Sequence, residues 1–212
     1  MPETELPEPQ GALDALGTMP EPPIAALRAR LAERADAAGL LDVAYRSLDT
    51  PVGTLLLAAT PAGLASVTFD GAAPEATLER LATALSPRLL EAPARLDAAA
   101  RRIEALIAGR AHAFDGPLDL TLARGFGRDV VERLREIPFG ETRSYAQVAA
   151  AVGSPLAARA VGTACRRNPL PIAIPCHRVV PSGGGLGQYV GGVDAKRLLL
   201  GVEGSAPGRA HR

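Results

Sequence analysis

Residues 171–180 constrain the fold more than any other stretch. They read Pro171-Ile172-Ala173-Ile174-Pro175-Cys176-His177-Arg178-Val179-Val180, a segment apolar enough for the interior that carries a thiol, an imidazole and a guanidinium in succession. Pro175 fixes its own φ and biases Ile174 toward an extended backbone. The expectation is a buried strand ending in a stiff turn that sets the Cys176 sulfur at the floor of a pocket. A thiol reacts as thiolate, and an adjacent imidazole or cation is what lowers its pKa. The plain alternative is a structural cysteine beside a surface His-Arg pair.

The chain around this segment changes character twice. Residues 1–23 are acidic and rich in Pro and Gly, which predicts a disordered tail. Ile24, Leu27 and Leu31 recur at helical spacing, so an amphipathic helix is expected over 24–40. Three strand patterns follow, at 43–46, 53–58 and 64–69, punctuated by Thr50-Pro51 with Gly53 and by Pro61-Ala62-Gly63. They predict an antiparallel meander. Helices are expected over 76–85 and 96–108, the second closed by Gly109. This part shows no concentration of catalytic residues.

The second half is mostly helical. Phe126, Val130, Val131, Leu134 and Ile137 form one apolar stripe, and Pro138 ends it. Ser144 suits the N-cap of a helix through Val152. Gly153-Ser154-Pro155 breaks the chain, and a second helix is expected over 156–165. That is helix-turn-helix spacing, a weak signal alone. Past the thiol, Gly183, Gly184, Gly185 and Gly187 make a flexible loop before Gln188-Tyr189-Val190-Gly191-Gly192. A last helix over 194–200 is expected to expose Lys196 and Arg197, with Glu203 just beyond it.

Charge decides little in sum but something in distribution. The formal net charge is zero, yet residues 141–180 hold five arginines against Glu141 alone. A locally basic stretch can bind phosphates in a neutral protein. Two cysteines and three histidines, widely spaced, do not read as a metal site. No apolar run is long enough to span a bilayer and no signal peptide is evident. A cytoplasmic, reducing setting is expected, with no membrane partner, no cofactor and a monomeric chain.

Several strings, in this order, resemble the O6-alkylguanine-DNA alkyltransferases, or methylated-DNA–protein-cysteine methyltransferases. They are Ser144-Tyr145, Ala157-Ala158-Arg159-Ala160-Val161-Gly162, Asn168-Pro169, Ile174-Pro175-Cys176-His177-Arg178-Val179, Gly187-Gln188-Tyr189-Val190-Gly191-Gly192 and Lys196…Leu199-Leu200…Glu203. The resemblance is close over residues 122–204 and looser over 41–116.

It implies an α+β architecture. An RNase H-like antiparallel-sheet domain (41–116) would precede a mostly helical, winged-helix-like catalytic domain with a helix-turn-helix (117–205). Residues 1–40 would be an N-terminal extension and 206–212 a tail. It also implies direct repair of duplex DNA: the alkyl group of O6-alkylguanine, and of O4-alkylthymine, moves once to Cys176 and stays there. His177 would act as base through a water, oriented by Glu203, with Asn168 as hinge. Tyr145, Arg159, Ala158, Gly162, Arg178, Val179 and Tyr189 would contact DNA or the extruded base, Arg159 filling the vacated stack.

Val190 stands where relatives carry a small or hydroxyl residue, which bears on alkyl-group range. Val131 replaces a frequent Trp. Cys165 reads as packing. Two other classes remain open at this point: a non-catalytic or regulatory binder of alkylated DNA, and a Cys-His hydrolase. The adjacency of Cys176 and His177 argues against the hydrolase.

Overall fold

The computed structural model describes residues 23–69 and 74–204. The readings made for residues 1–22 and 206–212 lie outside the described residues. Helix α1 spans Ile24–Ala37, and strands β1 (Val43–Thr50), β2 (Gly53–Thr60) and β3 (Gly63–Phe69) form the expected meander. Helix α2 (Pro74–Ala84), strand β4 (Leu89–Glu91) and helix α3 (Pro93–Ile107) follow. The second half holds α4 (Gly125–Leu134), β5 (Arg143–Ser144), α5 (Tyr145–Ala151), α6 (Ala158–Arg166), a 3-10 turn (Cys176–Arg178), β6 (Val179–Val180) and α7 (Gly192–Val202). The expected α+β order holds, with the sheet first and the helices after.

The sheet order is β3-β2-β1-β4. β1 and β2 pair antiparallel, as do β2 and β3, but β4 joins β1 in parallel, with Val43 opposite Leu89. The sheet is therefore mixed, not purely antiparallel. Helix α3 buries Leu96, Ala100, Ile103 and Ile107. These recur every three to four residues, and each fully buried Leu or Ile contributes roughly 1.5–3 kcal/mol.

Helix α1 departs from its pattern. Ile24, Leu27 and Leu31 are all exposed, and Ala32 is the buried residue. Small side chains let the helix sit close to the body, where Arg95 reaches Asp36 at 3.3 Å and the Leu41 carbonyl at 3.2 Å. The larger residues consequently point away.

One continuous apolar cluster runs from Ala32 through the sheet to Leu199. Main-chain bonds also join the halves: Leu64 N–H donates to the Pro117 carbonyl, Asp119 N–H to Leu64, and Val67 N–H to Pro169. Strand β3 thus holds the chain before α4 and again after α6.

Candidate active site

The helical hairpin begins with a capping box. Ser144 Oγ accepts from Gln147 N–H at 3.1 Å, and Gln147 Oε1 accepts from Ser144 N–H at 2.7 Å. Two otherwise orphaned amides are satisfied, which fixes where α5 starts and places Tyr145 in its first turn. The link to α6 is longer than expected. Ala157 is the N-cap, so Leu156, almost fully exposed, precedes the helix instead of opening it.

After α6 the chain makes a tight, buried loop rather than the expected strand. Every residue from Leu170 to Val180 is buried. Asn168 staples this loop: its Nδ2 donates to the Ile174 carbonyl and its Oδ1 accepts from Leu170 N–H, both at 3.0 Å. Ile172 is held at φ 73°, a strained value for a β-branched residue. Cys176 N–H and Arg178 N–H bond to the Ile174 and Pro175 carbonyls, closing the 3-10 turn that carries Cys176 and His177.

Cys176 is 3% exposed and lines a cavity of about 440 Å³. Tyr145, Arg159, Gly162, Cys165, Tyr189 and Val190 also line it. That volume lies in the range of small-molecule sites. Burial pushes the thiol up to about 11, against opposing effects from an Asn168 hydrogen bond and the Lys196 cation. The resting sulfur is a thiol, so a base has to take its proton.

His177 stands next to it. Its Nε2 lies 2.8 Å from Glu203 Oε1, while its Nδ1 is buried with no hydrogen-bond partner among the described residues. Burial lowers the imidazole pKa and outweighs the opposing pull of Glu203, so the ring is neutral near pH 7. Burial alone would raise the Glu203 carboxyl. Hydrogen bonds from His177 and Arg178 overcome it and hold Glu203 below its ordinary range. A carboxylate at Nε2 places the ring proton there and leaves the Nδ1 lone pair free. Gly140, at φ 80°, turns its amide toward the same carboxylate at 3.4 Å.

One short turn thus carries a buried thiol and, as its chain neighbour, an imidazole with an unpartnered Nδ1. The profile of the 6-O-methylguanine DNA methyltransferase DNA-binding domain matches residues 125–205. The methylated-DNA–protein-cysteine methyltransferase of Mycobacterium tuberculosis is 41% identical over 161 residues, 76% of this chain and 92% of that protein. The Methanosarcina acetivorans protein of the same name is 37% identical, over 76% and 98% of the two chains. This chain belongs to the methylated-DNA–protein-cysteine methyltransferase family. Among solved structures, the Mycobacterium tuberculosis O6-methylguanine methyltransferase superposes with a TM-score of 0.64 at 38% identity, covering 78% of this chain and 95% of that one. The Mycobacterium tuberculosis protein OGT in complex with DNA gives 0.62 at 36% identity, over 76% and 92%.

Within this methyltransferase fold, Cys176, Tyr145, Arg159, Gly162 and Tyr189 meet at one cavity, while His177 pairs with Glu203 and Asn168 bonds the loop that leads to Cys176. Ala158 opens α6 one residue before Arg159. One expectation needs correction. Arg178 does not face DNA. It is buried, bonded through Nε and Nη2 to Glu203 and through Nη1 to the Ile137 carbonyl at 2.6 Å, 5.7 Å over the Phe139 ring. An unscreened guanidinium next to a buried carboxylate is held there by charge. Val179 is fully buried, and its carbonyl accepts from Lys196 Nζ at 2.6 Å.

Lys196 was expected at the surface and is wholly buried, with burial bringing its pKa down to about 8. Its position three residues before Leu199 on an apolar helix face was the available signal. Cys165 packs as expected, yet it also lines the cavity, and burial raises its thiol too far for a nucleophile.

Proposed function

We propose that the protein repairs duplex DNA by moving an alkyl group from guanine O6, and from thymine O4, onto Cys176. The observation that carries this reading is the cavity-lining thiol of Cys176 followed in the same turn by His177, which is paired with Glu203. His177 Nδ1 takes the thiol proton, through a water, as Glu203 holds Nε2–H. The sulfur attacks the alkyl carbon; the S–C bond forms as the C–O bond breaks, and the electron pair passes to the base. The freed guanine takes up one proton, so thiol plus alkylguanine becomes thioether plus guanine. Water does not reverse a thioether, and each molecule acts once.

Access requires extrusion of the target base, which costs a few kcal/mol and less for a weakened pair. Arg159, exposed on α6 at the cavity rim, fills the vacated stack. Tyr145 and Gly162 line the base's path, Ala158 allows close approach of the backbone, and Tyr189 walls the pocket. In this reading residues 117–205 form the catalytic DNA-binding domain and 41–116 its supporting domain, flanked by 1–40 and 206–212. The protein works as a cytoplasmic monomer on alkylated duplex. Among the described residues no helix is long and apolar enough to cross a membrane.

The deciding experiment is mass spectrometry after incubation with duplex containing O6-methylguanine. One added methyl on the peptide carrying Cys176, lost in Cys176→Ala, is the expected result. Damage-dependent binding with an unmodified thiol would instead mark a non-catalytic binder.

A further inference from the structure

The wall of the alkyl pocket has little structure of its own. From Pro181 through Gly191 the chain has five glycines, and Gly184, Gly185 and Gly187 sit at positive φ. Tyr189 rises from this loop, its hydroxyl buried with no partner among the described residues, and its ring stands edge-on to His177 at 6.2 Å. Something outside the loop must hold that ring in place.

Phe69, the last residue of β3, is in position to do so. Its ring meets Tyr189 edge to face, with centroids 5.6 Å apart. It also abuts the loop backbone: a Cβ added at Gly191 would fall 2.4 Å from the Phe69 Cε1 and Cζ atoms. Gly191 has φ −88° and ψ 10°, a conformation open to any L residue. Glycine is therefore needed there for the space that Phe69 occupies, not for its dihedral freedom. The same strand is tied to the other flank of the site, where Val67 N–H donates to the Pro169 carbonyl at 2.8 Å, next to Asn168.

We propose that Phe69 is a positioning residue for alkyl transfer: through Tyr189 and Gly191 it sets the pocket wall, which makes the N-terminal sheet part of the catalytic apparatus. Edge-to-face aromatic pairs contribute beyond their buried area, and a misplaced wall costs rate because transfer needs the alkyl carbon in line with the sulfur. This rests on the alkyl-transfer reading above.

The test measures single-turnover methyl transfer from O6-methylguanine duplex, normalised to the protein that becomes methylated at long times. Wild type, Phe69→Ala, Gly191→Ala and the double variant are compared. Phe69→Ala should lower the saturating rate about tenfold, with the half-saturating DNA concentration unchanged within twofold. Gly191→Ala should be slow with Phe69 present and faster in the double variant, because the new methyl then has room. Phe69→Leu, which keeps apolar burial but not the ring edge, replaces the alanine variant if that one does not fold. A wild-type rate in Phe69→Ala with only a lower melting temperature overturns the proposal. So does a Gly191→Ala effect that ignores Phe69, or none at all. A wild type that transfers no methyl sinks the function first, and this inference with it.

Discussion

His177 Nε2 and Glu203 Oε1 lie 2.8 Å apart with both side chains out of solvent, and Arg178 neutralises the same carboxylate from the other side at 2.9 Å. Burial keeps the imidazole neutral, and the carboxylate at Nε2 leaves Nδ1 free. The carboxylate keeps its charge because two donors share it.

The pH dependence of transfer should expose that base. With the thiol at about 11, only about one molecule in 10⁴ carries thiolate at pH 7 without help. In His177→Gln the rate should rise about tenfold per pH unit between 7 and 10, following the thiolate. Wild type should stay level over that window, since its imidazole is already neutral. Its rate should fall only as pH drops through the lowered imidazole pKa, below about 6.5. Parallel profiles for the two proteins would remove His177 from the mechanism.

Stability separates the ion pair from the chemistry. Glu203→Ala leaves the Arg178 guanidinium buried without its anion, which should cost about 3–5 kcal/mol in denaturant unfolding. Glu203→Leu with Arg178→Met should recover most of that loss without recovering transfer. The acid limb has a defined sign. A carboxyl held low in the fold stabilises fully above its unfolded value of about 4.3 and loses that contribution as pH falls through the folded value. The advantage of wild type over Glu203→Gln should therefore shrink below about pH 4.

Arg159 offers a discrimination by substrate. If it fills the gap left by an extruded base, Arg159→Ala should slow transfer from duplex by tenfold or more while leaving transfer from free O6-benzylguanine within about twofold. Equal losses on both substrates would assign Arg159 to the pocket itself.

The strained Ile172 poses a contest of magnitudes. Glycine there relieves a backbone cost of about 1–3 kcal/mol but removes a side chain that is 3% exposed, worth about 2–5 kcal/mol. Ile172→Gly should be net destabilising by urea titration. A stabilised variant would mean that the strain is the larger quantity.

The local features of this chain were legible and the long-range ones were not. Short apolar runs with Gly53 and Gly63 at the turns identified β1 to β3, and the Ser144 cap marked α5, because these depend on neighbours in sequence. Strand β4 was not seen: three residues carry too short a pattern, and its partner Val43 is far back along the chain. Lys196 was placed at the surface because charged side chains usually lie there, and Arg178 was assigned to DNA contact by the resemblance. Their burial depends on Val179 O and on Glu203, contacts no local pattern encodes. The resemblance brought the cysteine, histidine and glutamate together before any coordinates. It did not reach Phe69, whose partner lies across the whole helical half.

The two-residue parallel pair of β5 and β6 joins Arg143 to Val179 and Ser144 to Val180. The strand entering the α5–α6 hairpin is thus bonded directly to the strand leaving the Cys176 turn, with no linker to absorb motion. If the hairpin docks on DNA as proposed, a tilt of it is passed to the turn that carries the sulfur, and grip on the double helix and readiness to react become one property.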